Sequence, residues 1–146
     1  MRWFAELGRA WGAEMNAADR MRVVLAWGFV FGAVSHIGWV MVHGDVWYYG
    51  PAPSWAPWFW YGICLVDLAV FWLLLTRPRL GIAGALTTMV TTLVVNWTQF
   101  PTFEFGFNYV LIGLTVFGVI VFATAAWLWS ASKWKLPTAS AGRSAD

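Results

Sequence analysis

Charge is what this chain of 146 residues has least of. Asp, Glu, Lys and Arg together make up 11% of it, against 60% hydrophobic residues and a mean hydropathy of +0.63. A water-facing surface carries about a quarter charged residues, so the composition excludes a soluble globular domain. Cysteine is nearly missing as well. Cys64 stands alone, which excludes an intrachain disulfide, CxxC chemistry and cysteine-ligated zinc or iron–sulfur centres. Histidine occurs only at His36 and His43. Two helical turns separate them, too far to chelate one metal from a single helix, and no other segment offers a histidine for haem. No metal and no cofactor is therefore expected. Serine-nucleophile, phosphate-loop and HExxH signatures are absent. Asp67 is the one acid inside an apolar segment, so a carboxylate-bridged di-metal site has no support. The net charge of +2 does not point to nucleic acid. The basic residues flank apolar segments, which membrane topology explains better.

What the chain has in quantity is apolar and aromatic residues, with thirteen Trp and eleven Phe. Four apolar stretches, over 23–42, 58–76, 80–100 and 107–129, each approach the ~20 residues that cross a hydrocarbon core. Gly44, Gly50, Pro51, Pro53 and Pro57 break the chain between the first two, with Trp47, Tyr48, Tyr49 and Trp55 placed as an interfacial belt. Arg77-Pro78-Arg79 reads as a tight turn, and 101–106 turns the chain again. Residues 1–19 carry Trp3, Phe4, Leu7, Trp11 and Met15 at helical spacing with acids scattered among them. That pattern fits an amphipathic helix in the headgroup region rather than a signal peptide, with a partly ordered tail as the alternative. Asn16 and Asp19 offer capping chemistry to the helix that follows.

The expected architecture is an all-α membrane protein: a four-transmembrane-helix up-down-up-down bundle over 20–130, preceded by the interfacial segment 1–19 and followed by a flexible tail over 131–146. All nine basic residues fall on one side: Arg2, Arg9, Arg20 and Arg22, then Arg77 and Arg79, then Lys133, Lys135 and Arg143. The two loops of the other face carry only Asp45 and Glu104. By the positive-inside rule this is a multi-pass protein of the inner (cytoplasmic) membrane with both termini cytoplasmic.

Chemistry concentrates in few residues. Gly28, Gly32, His36 and His43 share one face of the first span. The Gly28/Gly32 pair suits close helix approach, within the bundle or in a homodimer. Asp67 lies near the middle of the second span. Thr88, Thr92 and Asn96 follow i, i+4, i+8 on the third, and Asn108 and Thr115 share a face of the fourth. Counted by helical rise, His36 lies roughly 10 Å and Asn96 roughly 6 Å below the outer boundary. The polar groups thus collect in the outer half, with Asp67 at the bottom. Three arrangements are open to Asp67: a neutral acid hydrogen-bonded to a Thr or Asn, an ion pair with His36, or a carboxylate facing a cationic ligand. Trp39, Trp60, Trp72 and Trp97 are candidate walls of an apolar pocket.

Ser35-His36-Ile37, the following Asp45, the Pro/Trp stretch from Pro53 to Pro57, Asp67 at the end of Ile-Cys-Leu-Val-Asp, and the Thr-rich run from Thr88 to Thr92 form a pattern that resembles the EXPERA superfamily, its sigma-2 receptor-like members in particular. The chain also resembles small bacterial four-span proteins with an acid in the second span, an Arg-Pro-Arg turn and an Asn near the end of the third. The EXPERA resemblance implies a four-helix core around a cavity for sterols or cationic amphiphiles. Asp67 would be the amine-pairing acid and Asp45 its outer partner. The second acid of the isomerase members has no match in this chain.

Three functional classes follow. The first is a membrane protein binding an apolar or cationic amphiphilic ligand (a lipid, a sterol-like molecule or an isoprenoid) in an intramembrane pocket. Asp67 is its anchor, supported by His36, Asn96 and Thr92, with Trp39, Trp60 and Trp97 as walls. The second is a non-catalytic accessory subunit of a larger membrane complex. The third is a small lipid- or isoprenoid-modifying enzyme using His36 and Asp67 as acid and base. A non-enzymatic role is favoured. The expected partners are the bilayer, a hydrophobic small molecule or lipid, and a second copy or complex subunit.

Overall fold

A computed structural model describes residues 15–43, 53–99 and 108–132. Four α-helices account for nearly all of them: α1 Ala17–His43, α2 Ala56–Thr76, α3 Pro78–Gln99 and α4 Asn108–Ala131. Each is long and apolar enough to cross a membrane. The chain is an all-α four-helix bundle and a multi-pass membrane protein. Residues 1–14 of the expected interfacial segment, most of the aromatic loop, the turn before α4 and the tail from 133 lie outside the described residues.

Local chemistry sets the helix ends. α1 starts at Ala17, ahead of the apolar stretch, because Asn16 Oδ1 accepts the Asp19 N–H at 2.9 Å and satisfies a free donor of the first turn. Residues 17–19, assigned to the interfacial segment by pattern, therefore belong to α1. Asp19 pairs with Arg22 one turn on. Pro57 stands in the first turn of α2, where its missing N–H costs nothing. Arg77 alone separates α2 from α3: its N–H donates to the Leu73 carbonyl at 2.7 Å and its own carbonyl accepts from Gly81 at 2.9 Å. The chain reverses there so closely that a β-carbon on Gly81 would lie 2.6 Å from the Leu73 carbonyl carbon.

Antiparallel neighbours pack in chain order. Gly81 opposes Leu74, and Gly84 opposes Val70. Leu93 of α3 covers Gly118 of α4, and Arg79 Nε donates to the Ser132 carbonyl at 3.1 Å. The bundle closes between α1 and α4 through Phe117, which lies over Gly28 and meets Phe29 edge-on at 5.4 Å between ring centres. The Gly28/Gly32 pair is thus consumed inside the bundle: Gly28 receives Phe117 and Gly32 receives Asp67.

The interior divides along its length. The half toward the Arg77 turn, here called the basic end, is apolar. Leu25, Phe29, Leu74, Val121 and Leu128 fill it with almost no exposure. The four buried polar residues among those described, Asp67, Thr88, Thr92 and Asn96, start at mid-helix and run toward the other end, where the α1–α2 and α3–α4 loops emerge. The lipid-facing shell holds large apolar groups such as Phe31, Trp58, Leu65 and Val94. Water does not drive helices together in lipid, so small and polar side chains select the buried faces.

Candidate functional site

Asp67 is on the inward face of α2, with 6% of its surface exposed. Its Oδ2 occupies the space above Gly32, 2.8 Å from where a β-carbon at that position would be. Only glycine on α1 leaves room for a carboxyl between the helices. Among the described residues no hydrogen bond reaches the Asp67 carboxyl, and the one ion pair is Arg22 with Asp19. Neither the bond to a Thr or Asn nor the pairing with His36 is made.

One turn farther toward the loop end, a groove of about 240 Å³ lies between α1 and α2. His36, Ile37 and Met41 line it from α1, and Trp60, Tyr61 and Cys64 from α2. Cys64, three residues before Asp67 on the same helix, donates its thiol to the Ala33 carbonyl at 3.4 Å. The groove floor and the carboxyl are therefore adjacent on both helices, by Ala33 and Gly32 on α1 and by Cys64 and Asp67 on α2. Asp67 does not itself line the groove. His36 does, about 6 Å of helical rise from Gly32.

Across the interior, α3 presents Thr88, Thr92 and Asn96. Asn96 Nδ2 donates to the Thr92 carbonyl at 2.8 Å. Thr92 is 5% exposed, and its Oγ1 is the one fully buried side-chain polar atom, among the described residues, that has no hydrogen-bond partner. Among the described residues no three His, Cys, Asp or Glu side chains come together as a metal-ligand set.

The structure separates the expected site residues. Asp67, Thr92, Asn96 and Trp60 are buried, and His36 is half-buried in the groove. Trp97 departs from expectation. It is 54% exposed and donates its indole N–H to Thr115 Oγ1 at 3.2 Å, bridging α3 and α4 from outside. It follows Asn96 directly, and about 100° of helical turn between consecutive residues carries it out of the interior. Trp72 also faces outward. The Trp39 and His43 side chains and Asn108 lie outside the described side chains. Sequence reasoning missed Tyr61, Cys64, Ile37 and Met41 as lining residues. Their signal was weak: apolar or aromatic residues one turn from His36 or Asp67 are indistinguishable from lipid-facing ones. Comparison with protein-family models, with curated proteins and with solved structures gave no match.

Proposed function

We propose that this protein binds a cationic amphiphile within the membrane, with the alkyl chain in the groove between α1 and α2 and the charged head at Asp67. The observation that carries this reading is the Asp67 carboxyl, buried at the bundle's midpoint against Gly32 with no partner among the described residues. An acid at mid-membrane costs about 2.5–3.5 kcal/mol on the insertion scale. A structural acid would recover that cost through hydrogen bonds or an ion pair. A binding acid recovers it from its ligand. Trp60 and Tyr61 add aromatic faces to the groove, which attract a cation passing them. The groove of about 240 Å³ is smaller than the roughly 300–1,000 Å³ of sites for drug-sized molecules, which favours a single chain over a fused-ring sterol. The EXPERA resemblance, which rests on the sequence motifs, leads to the same class of ligand.

The basic end would face the cytoplasm, since Arg20, Arg22, Arg77 and Arg79 lie at it and the positive-inside rule governs such short connections. The groove then opens toward the outer leaflet of the inner membrane. Thermal unfolding in a neutral maltoside detergent, titrated with decylamine and with decanol as the uncharged control, tests the reading. The expected result is saturable stabilisation by decylamine, reaching about 2.7 kcal/mol at a hundredfold excess over Kd, that decanol does not reproduce and Asp67→Asn removes. Equal stabilisation of Asp67→Asn would overturn the anchor role.

A further inference from the structure

Five threonines among the described residues bond back along their own helices. Thr76, Thr91, Thr98, Thr115 and Thr124 each donate their hydroxyl to the carbonyl four residues back, at 2.7 to 2.9 Å. This is the ordinary way a hydroxyl is satisfied on a helix in lipid. Thr92 does not fold back, although the Thr88 carbonyl is in the same relation to it, and its Oγ1 is fully buried without a partner among the described residues. A buried polar atom left in this state loses the hydrogen bonding it had in water, so an occupant that supplies a partner is favoured.

Helix register locates that hydroxyl. Gly81 opposes Leu74 and Gly84 opposes Val70 on the antiparallel α2. Continuing turn by turn brings Thr88 level with Asp67, and Thr92 level with the Cys64 region, where the groove ends. Among the described residues, the unpartnered hydroxyl and the unpartnered carboxyl are thus one turn apart along the axis, on facing helices, with the hydroxyl level with the inner end of the groove. Asn96, a further turn out, spends its amide N–H on the Thr92 carbonyl, which ties that turn of α3 in place.

We infer that the site selects an ammonium bearing N–H donors, a primary or secondary amine, over a quaternary ammonium of the same chain length. One N–H is donated to the Asp67 carboxylate and a second to Thr92 Oγ1. Thr92 is then the residue that sets head-group specificity. A trimethylammonium group supplies the charge that Asp67 needs but has no hydrogen for Thr92, and its methyl groups leave the hydroxyl as unsatisfied as before. The inference rests on the amphiphile-binding reading above and adds the class of head group.

The test compares decylamine with decyltrimethylammonium on the full-length purified chain, by titration calorimetry in maltoside micelles, for the wild type and for Thr92→Val, Thr92→Ser and Asp67→Asn. A hydrogen bond to a charged group predicts that the wild type prefers decylamine at least about tenfold. Thr92→Val, which keeps the shape and removes the hydroxyl, brings the ratio toward one, chiefly by weakening decylamine. Thr92→Ser restores the preference, which separates a hydroxyl effect from a packing effect. Equal wild-type affinities that still depend on Asp67 overturn this inference and leave the anchor role standing, as does a preference that Thr92→Val leaves unchanged. Absence of any saturable, Asp67-dependent binding overturns both.

Discussion

The Asp67 carboxylate occupies the space that a side chain on residue 32 would need: Oδ2 lies 2.8 Å from the position of a β-carbon built on Gly32. Gly32→Ala therefore forces the carboxyl away or pushes α1 off α2. Overpacking of this kind costs about 1–3 kcal/mol. Asp67→Ala in the same chain empties the contested space, so the double variant should recover most of the loss. A double-mutant cycle by reversible unfolding in detergent measures the coupling, and additive losses would show that the two residues do not compete for one space.

Asp67 by itself should be dispensable for folding. With no partner among the described residues, its carboxyl gives the bundle little that Asn or Ala would take away. Asp67→Asn and Asp67→Ala are expected to unfold within about 1 kcal/mol of the wild type or above it, as is common where function retains a destabilising group. A loss above about 3 kcal/mol, the size seen when a buried ion pair is broken, would mark Asp67 as structural instead.

Two threonines should respond oppositely to the same substitution. Thr115 donates to the Leu111 carbonyl at 2.7 Å and accepts the Trp97 indole N–H at 3.2 Å, so Thr115→Val should cost about 1 kcal/mol, the typical net worth of a hydrogen bond. Among the described residues Thr92 has no such bonds for its hydroxyl. Thr92→Val should raise stability without ligand by about 1 kcal/mol, the lower end of the penalty for an unsatisfied buried group. Thermal unfolding of the two variants side by side reads the difference in sign.

Neighbouring glycines on α3 should also part company. A methyl on Gly81 would collide with the Leu73–Leu74 backbone, which cannot rotate away, and Gly81→Ala is expected to cost about 3 kcal/mol. Gly84 faces only Val70 Cγ2, at 3.3 Å, on a side chain that can turn. Gly84→Ala should fall between neutral and a gain of about 1 kcal/mol, the helix-propensity difference between the two residues. Equal losses would mean that α2 and α3 do not meet at the one-residue Arg77 turn as described.

Cys64 makes the groove directly observable, because a thiol reagent has one target in the chain. Alkylation by N-ethylmaleimide should slow in the presence of saturating decylamine in the wild type and not in Asp67→Asn. Equal slowing in both would place the amine's effect outside the Asp67 site.

The sequence by itself determined the number of membrane-crossing helices, their order and the clustering of basic residues at one end, because these depend on composition and on the length of apolar runs. It also indicated that Thr88, Thr92 and Asn96 share a face, since helical periodicity alone brings i, i+4 and i+8 together. It could not tell which face of each helix is buried. In water an apolar stripe points inward. In a bilayer both the lipid side and the packed side are apolar, so Phe31 and Phe29 look alike although one is outside and the other in the core. That ambiguity is why the pattern offers Trp97, which is exposed, as a wall and leaves Tyr61 and Cys64 unnoticed. Tertiary packing alone decided that Gly28 and Gly32 receive Phe117 and Asp67 rather than another helix backbone, that His36 lines a groove one turn from Asp67 rather than pairing with it, and that Thr92 is left without a partner among the described residues. Each of these depends on the register and rotation of one helix against another, which arise from contacts between residues far apart in the chain.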